Sequence, residues 1–167
     1  EELLRLLPHL KLISQTGKIA PHLDLNACTE RGICVAEGIG SPIAPAELCW
    51  ALIMNSVRKL PEAMIAMKQG KWQINIGQSI YGKTIGIWGY GKIGQRIARY
   101  SKAFGAEVLV WGSESSRQKA LEQGFTAAAS KEDFFRNADV VTLHLRLLPQ
   151  TFGLVKTEDL MMMKDGA

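Results

Sequence analysis

Thr84-Ile85-Gly86-Ile87-Trp88-Gly89-Tyr90-Gly91-Lys92-Ile93-Gly94 decides how the rest of the chain is read. A short apolar run meets a Gly-x-Gly-x-x-Gly turn, and Ile93, Ile97, Tyr100 and Phe104 then recur at helical spacing. Each glycine has its own reason to be there. Gly89 permits the tight strand-to-helix turn, Gly91 lets main chain approach a pyrophosphate, and Gly94 lets the helix pack close on the strand. The first N–H groups of a helix have no partner inside it, and with the helix dipole they favour an anion. In this strand–turn–helix setting the motif predicts dinucleotide binding.

The chain has 167 residues, with 47% hydrophobic and 22% charged residues, as in a globular protein. The net charge of +4 is scattered, with no basic cluster interleaved with aromatics, so no nucleic-acid partner is expected. The apolar run Leu48 to Met54 is too short to span a bilayer, so no membrane partner is expected either. Glu1-Glu2 shows neither a signal-peptide n-region nor an initiator Met. Cys28, Cys34 and Cys49 form no Cys-x-x-Cys pair and read as free thiols in a reducing cytoplasm. No pair of His, Cys or carboxylates has metal-ligand spacing.

Around the glycine motif the chain alternates strands and helices. Leu10–Gln15 and Ile33–Ala36 read as strands that pair with each other or with chain not present, with a helix over Leu23–Arg31 between them. Gly38-Ile39-Gly40-Ser41-Pro42 reads as a boundary, separating domains at 1–40 and 41–167. A helix from Pro45 to about Leu60 is apolar all round over Leu48–Met54, which predicts burial on more than one side. A second helix starts at Pro61, with Met64 and Met67 as packing residues. Beyond the motif come strands at Ala106–Trp111, Phe125–Ala129 and Asp139–Leu145. Helices are expected at Arg117–Gln123, after Ser130 and over Thr157–Met163. This order predicts an α/β fold with a doubly wound parallel sheet and right-handed crossovers. Its ligand crevice lies between the strands at 84–88 and 140–145. The sheet reads as incomplete, with 139–145 as an apolar edge strand, and the sequence reads as a fragment of a longer protein.

With these features in order, the chain resembles the D-isomer-specific 2-hydroxyacid dehydrogenases. The matching stretches are Leu10-Lys11-Leu12-Ile13 then Gly17, His22-Leu23-Asp24-Leu25, Arg31-Gly32-Ile33, Ala46-Glu47-Leu48, Gly82 to Ile87 leading into the glycines, Asp139 to Leu145, and Met163-Lys164. The resemblance implies a Rossmann-type nucleotide domain preceded by a small remnant of a flavodoxin-like substrate domain. It implies hydride transfer between a nicotinamide (NAD or NADP) and C2 of a small 2-hydroxy or 2-oxo acid, in a cytoplasmic homodimer. The family's catalytic Arg, Glu and acid–base His would all lie beyond Ala167, so no catalytic residue is expected in this chain. The other reading is a non-enzymatic NAD(H)-sensing or interaction module on the same fold.

By the same resemblance, Gly89, Tyr90, Gly91, Lys92, Ile93 and Gly94 hold the pyrophosphate, chiefly through the main chain of Lys92 and Ile93. His144, Leu145, Arg146 and Thr151 line the rest of the cofactor pocket. A histidine merely bonded to backbone is the competing reading of His144, and a solvated charge that of Arg146. Thr16-Gly17-Lys18 resembles a backbone cradle for the substrate carboxylate, with Gly17 and Lys18 as its contacts, and reads equally as a plain turn. Many family members end the second nucleotide-domain strand in Asp, where this chain has Gly112 followed by Ser113. A carboxylate there binds the ribose 2′-hydroxyl of NAD and repels the 2′-phosphate of NADP. Its absence, with Ser113, Ser115, Ser116 and Arg117 nearby, leaves NADP open, unless the serines serve only as helix caps.

Overall fold

The computed structural model describes residues 2–19 and 22–167. The chain divides into two compact units, one ending at Ser41 and one spanning Pro42–Ala167.

The first unit holds α1 (Glu2–Arg5), β1 (Leu12–Gln15), α2 (Leu25–Glu30) and β2 (Cys34–Glu37). The two strands pair with each other, in parallel, Leu12 opposite Cys34 and Gln15 opposite Glu37. Asp24 caps α2 by accepting the Ala27 N–H at 3.0 Å. Leu4, Ala27, Cys28 and Ile33 form its small buried core.

The second unit holds α3 (Ile43–Val57), α4 (Leu60–Lys68), β3 (Thr84–Trp88), α5 (Gly94–Ala103), β4 (Glu107–Trp111), α6 (Glu114–Glu122), β5 (Thr126–Ala127), α7 (Lys131–Asn137), β6 (Val140–Leu143) and α8 (Thr157–Met161). The sheet runs β5-β4-β3-β6, and all its pairings are parallel. Side chains alternate across the sheet as a strand requires. Ile85, Ile87, Val108 and Val110 face α3, α5 and α6, packing with Ala46, Ile53, Ile97 and Ala120. Trp88 and Leu109 face the other way, against Phe134 and Phe135 of α7. Trp88 meets both phenyl rings edge-on at 6.1 and 5.9 Å. Gly86 belongs to that second face. A Cβ on it would lie 2.9 Å from both Ala138 Cβ and the Phe134 ring, so α7 sits directly on the strand. β6 is an edge strand, with Leu143 exposed.

Three expectations need correction. α3 starts at Ile43, and it is not buried on more than one side. Only a stripe at helical spacing faces the core, with Ala46 and Ile53 buried and Cys49, Trp50, Met54 and Val57 half-buried. Leu48 and Leu52 remain 63% and 60% exposed. Uniform apolarity says nothing about which face finds a neighbour; that is set by the single line of contact with α5 and the sheet. Met64 and Met67 of α4 are exposed in this chain, which leaves the packing expected of them to a contact outside this unit. Finally, α6 begins at Glu114, three residues before Arg117, because Ser113 caps it by accepting the Ser116 N–H.

Candidate functional site

The crevice forms where β3 has β4 on one side and β6 on the other, the point at which strand order reverses. Three chain segments leave the carboxyl ends of these strands together. Gly89 N–H donates to Trp111 C=O at 2.9 Å, and His144 N–H donates to Trp88 C=O at 2.8 Å. The glycine turn is thus clamped between the end of β4 and the end of β6.

Within the turn the glycines do different work. Gly89 has φ +99°, and a Cβ there would lie 2.8 Å from His144 C=O oxygen. Gly94 is tighter still, because its Cβ would lie 2.2 Å from Gly89 oxygen. Gly91 is the opposite case, with nothing within 4 Å of its missing side chain. Two of the glycines are thus demanded by the protein's own packing, and the third faces open space. Lys92 and Ile93, in the turn just before α5, donate their N–H groups to no acceptor among the described residues. An open cradle bounded by unpartnered N–H groups at a helix start fits a pyrophosphate.

A side-chain ring holds this cradle in shape. Gln95 Nε2 donates to Tyr90 and Gly91 carbonyl oxygens at 3.1 and 3.2 Å. Gln95 Oε1 accepts from Gln123 Nε2 at 3.4 Å, and Gln123 Oε1 accepts from the Tyr90 hydroxyl at 2.8 Å. Because a trans peptide points its C=O and N–H in opposite directions, pinning those two carbonyls turns the Gly91 and Lys92 N–H groups away from Gln95. The Tyr90 ring is buried beside Phe125, so Tyr90 can offer a ligand only its main chain. Burial pushes its phenol above the usual value, against the pull of Arg99. Gln95 and Gln123 were not singled out from sequence. Gln95 directly follows Gly94, but Gln123 is brought near only by the fold.

On the β6 side, the His144 imidazole is half-buried. Its Nε2 lies 3.0 Å from Thr142 Oγ1 and 3.9 Å from Cys49 Sγ, and the thiol lies 3.2 Å from the same hydroxyl. Burial pushes the imidazole below its ordinary value near 6.5, favouring the neutral ring. The His144 side chain is therefore bonded to side chains, and it is the residue's backbone that faces the glycine turn. Leu145, Arg146 and Thr151 line a cleft of about 290 Å³ at the carboxyl end of β6. The Thr151 hydroxyl bonds within its own loop, donating to Arg146 C=O and accepting the Leu148 N–H at 2.8 Å. A depression of about 350 Å³ lined by Tyr81, Lys102, Phe125 and Thr126 lies at the amino end of β4, away from the crevice.

On the β4 side, Gly112 has φ +148° and its missing Cβ would sit 3.6 Å from Gly89 nitrogen. Ser113 follows with its cap. In the other unit, Gly17 C=O accepts the Gly38 N–H at 3.1 Å, and the Lys18 ammonium is ion-paired with Glu37. No cluster of three or more potential metal ligands occurs among the described residues. No helix among them is long and apolar enough to cross a membrane.

The comparisons with known proteins agree with this geometry. A phosphoglycerate oxidoreductase from Vibrio cholerae has a structure 55% identical in sequence to this chain, with a TM-score of 0.92, over 97% of this chain and 53% of that one. A putative D-3-phosphoglycerate dehydrogenase from Ralstonia solanacearum is 46% identical, with a TM-score of 0.94, over 99% of this chain and 53% of that one. The D-3-phosphoglycerate dehydrogenase of Methanocaldococcus jannaschii is 32% identical over 95% of this chain, which spans 31% of the relative. The chain thus covers about half the length of these solved structures and about a third of that curated relative. Residues 50–167 match the family described as D-isomer specific 2-hydroxyacid dehydrogenase, NAD binding domain, and the chain belongs to that family.

Proposed function

We propose that this chain supplies the coenzyme-binding part of an oxidoreductase that moves a hydride between a nicotinamide and C2 of a small 2-hydroxy or 2-oxo acid. The observation that carries the proposal is the open face at Gly91 beside the unpartnered N–H groups of Lys92 and Ile93. The bound nicotinamide supplies the hydride chemistry, and the protein's part is to bind and orient it. Main chain from Gly89 to Gly94 holds the pyrophosphate, and the Gly112–Ser113 bend receives the adenosine ribose. His144, Leu145, Arg146 and Thr151 border the nicotinamide half. In the first unit, the turn at Gly17 and Lys18 offers main-chain donors to a substrate carboxylate.

The working protein is proposed to be a cytoplasmic homodimer. Its three free thiols suit a reducing compartment, and the exposed apolar side chains of α3 and α4, among them Leu48, Leu52, Met64 and Ile65, suit a contact between copies. Sedimentation of the chain would show a dimer on this reading, and a strictly monomeric species would count against it.

The direct test is titration of NADH and NADPH against the chain, followed by coenzyme fluorescence. Hydride transfer from the same coenzymes to glyoxylate, hydroxypyruvate and pyruvate is then assayed with the full-length protein. Saturable binding with turnover of at least one oxo acid is expected. Absence of binding at millimolar coenzyme would refute the proposal.

A further inference from the structure

The bend after β4 carries polar groups that the phosphate-binding turn does not use. Gly112 has a backbone conformation that side-chain-bearing residues rarely adopt, so this point of the crevice holds no carboxylate. Three hydroxyls take its place. Ser113 Oγ lies 3.0 Å from Ser115 Oγ and 3.1 Å from Ser116 Oγ. Ser113 Oγ accepts the Ser116 N–H at 3.3 Å and donates its own hydrogen to Ser116 Oγ, so the Ser116 O–H keeps a hydrogen for a ligand, and Ser113 and Ser115 donate to one by exchanging the bonds among themselves.

Beside them the Arg117 guanidinium lies over the Trp111 ring, 5.0 Å from its centroid. Stacking on indole fixes the guanidinium plane while leaving its edge available as a donor fork. Arg117 Nε is buried and has no hydrogen-bond partner. The carboxylate on hand is Glu114, which pairs with Arg117 from a side chain 83% exposed, against 26% for Arg117. An ion pair with one member so exposed contributes little and is readily exchanged.

A ribose 2′-hydroxyl is best recognised by a carboxylate acceptor, which this bend lacks. A 2′-phosphate carries nearly two negative charges and accepts several hydrogen bonds, and it calls for donors and a guanidinium. We propose that the adenosine end of this crevice takes a 2′-phosphate, so that the chain prefers NADP(H) to NAD(H). Arg117 is then the specificity-determining residue, exchanging Glu114 for the phosphate, and the hydroxyls of Ser113, Ser115 and Ser116 act as donors. The inference rests on the dinucleotide reading and goes beyond it.

Dissociation constants for NADPH and NADH, measured by titration calorimetry on the chain and on Arg117→Gln and Glu114→Gln variants, test it. The unaltered chain is expected to bind NADPH at least tenfold more tightly than NADH. Arg117→Gln should reduce that ratio at least fivefold, and Glu114→Gln should raise it. Adenosine 2′,5′-bisphosphate should displace NADPH at lower concentration than AMP does. A ratio near one or favouring NADH overturns the inference while leaving the dinucleotide reading intact, as does a ratio unmoved by Arg117→Gln. Failure of both coenzymes to bind overturns the dinucleotide reading, and this inference with it.

Discussion

Gly94 is pressed against Gly89 so closely that a methyl group on Gly94 would lie 2.2 Å from Gly89 carbonyl oxygen, a backbone atom with no freedom to retreat. Gly89 is itself held, by Trp111 C=O on one side and the His144 backbone on the other. The turn is therefore a rigid piece of the β3–α5 packing, not a flexible loop. Gly94→Ala must push α5 off the strand, which by the usual cost of overpacking should destabilise the unit by about 1–3 kcal/mol. Urea unfolding of the variant checks this, and an unchanged midpoint would mean that the helix is free to move.

Asp139 ties the start of the sheet together. Its carboxylate accepts the Thr84 N–H at 2.7 Å and the Lys164 ammonium at 3.0 Å. Burial pushes its carboxyl up, but the Thr84 bond and Lys164 outweigh this and hold it below the usual range. A carboxylate with a depressed folded-state value adds stability above the unfolded value of about 3.9, and that stability disappears as pH falls through the folded value. Asp139→Ala should cost about 2 kcal/mol at neutral pH, in line with a lost charged hydrogen bond. It should also flatten the fall in stability below about pH 4. Denaturation curves at pH 7 and pH 3 on both proteins make the comparison.

His144 also favours its deprotonated form, which here is the neutral ring. Its imidazole is pushed below the ordinary value by burial, so the folded chain binds fewer protons than the unfolded chain just below pH 6.5. Its contribution is present above the unfolded value and is lost as pH drops through the window beneath it. Replacing His144 with Gln should reduce the change in unfolding free energy between pH 7.5 and pH 5.5. An identical slope in both proteins would show that the ring next to Thr142 and Cys49 titrates as if in water.

Much of the fold was legible because its signals are local. The parallel α/β order followed from alternating apolar runs, and the switch point followed from a strand–glycine–helix sequence. A helix is expected after Ser130, and the Ser130 side chain caps α7 by accepting the Asp133 N–H at 3.1 Å. The misreadings concern neighbours. Leu48 and Leu52 sit in a run as apolar as any core, and only packing decides that Ile53 is inside and they are not. The ring of Tyr90, Gln95 and Gln123 joins residues 28 and 33 positions apart, a closure with no sequence signature. Cys49 meets Thr142 from 93 positions away, so neither it nor the orientation of His144 was visible in the chain alone.

Gly91 offers the most direct measurement, because its missing side chain meets nothing of the protein within 4 Å. Gly91→Ala is therefore expected to fold with unchanged stability. A methyl group in the cradle would hold a pyrophosphate off the Lys92 and Ile93 N–H groups, so coenzyme affinity measured by calorimetry should fall at least tenfold, about 1.4 kcal/mol or more. A variant equally stable that still binds NAD(H) and NADP(H) as tightly as the unaltered chain would contradict the account, since the coenzyme phosphates would then have to rest elsewhere.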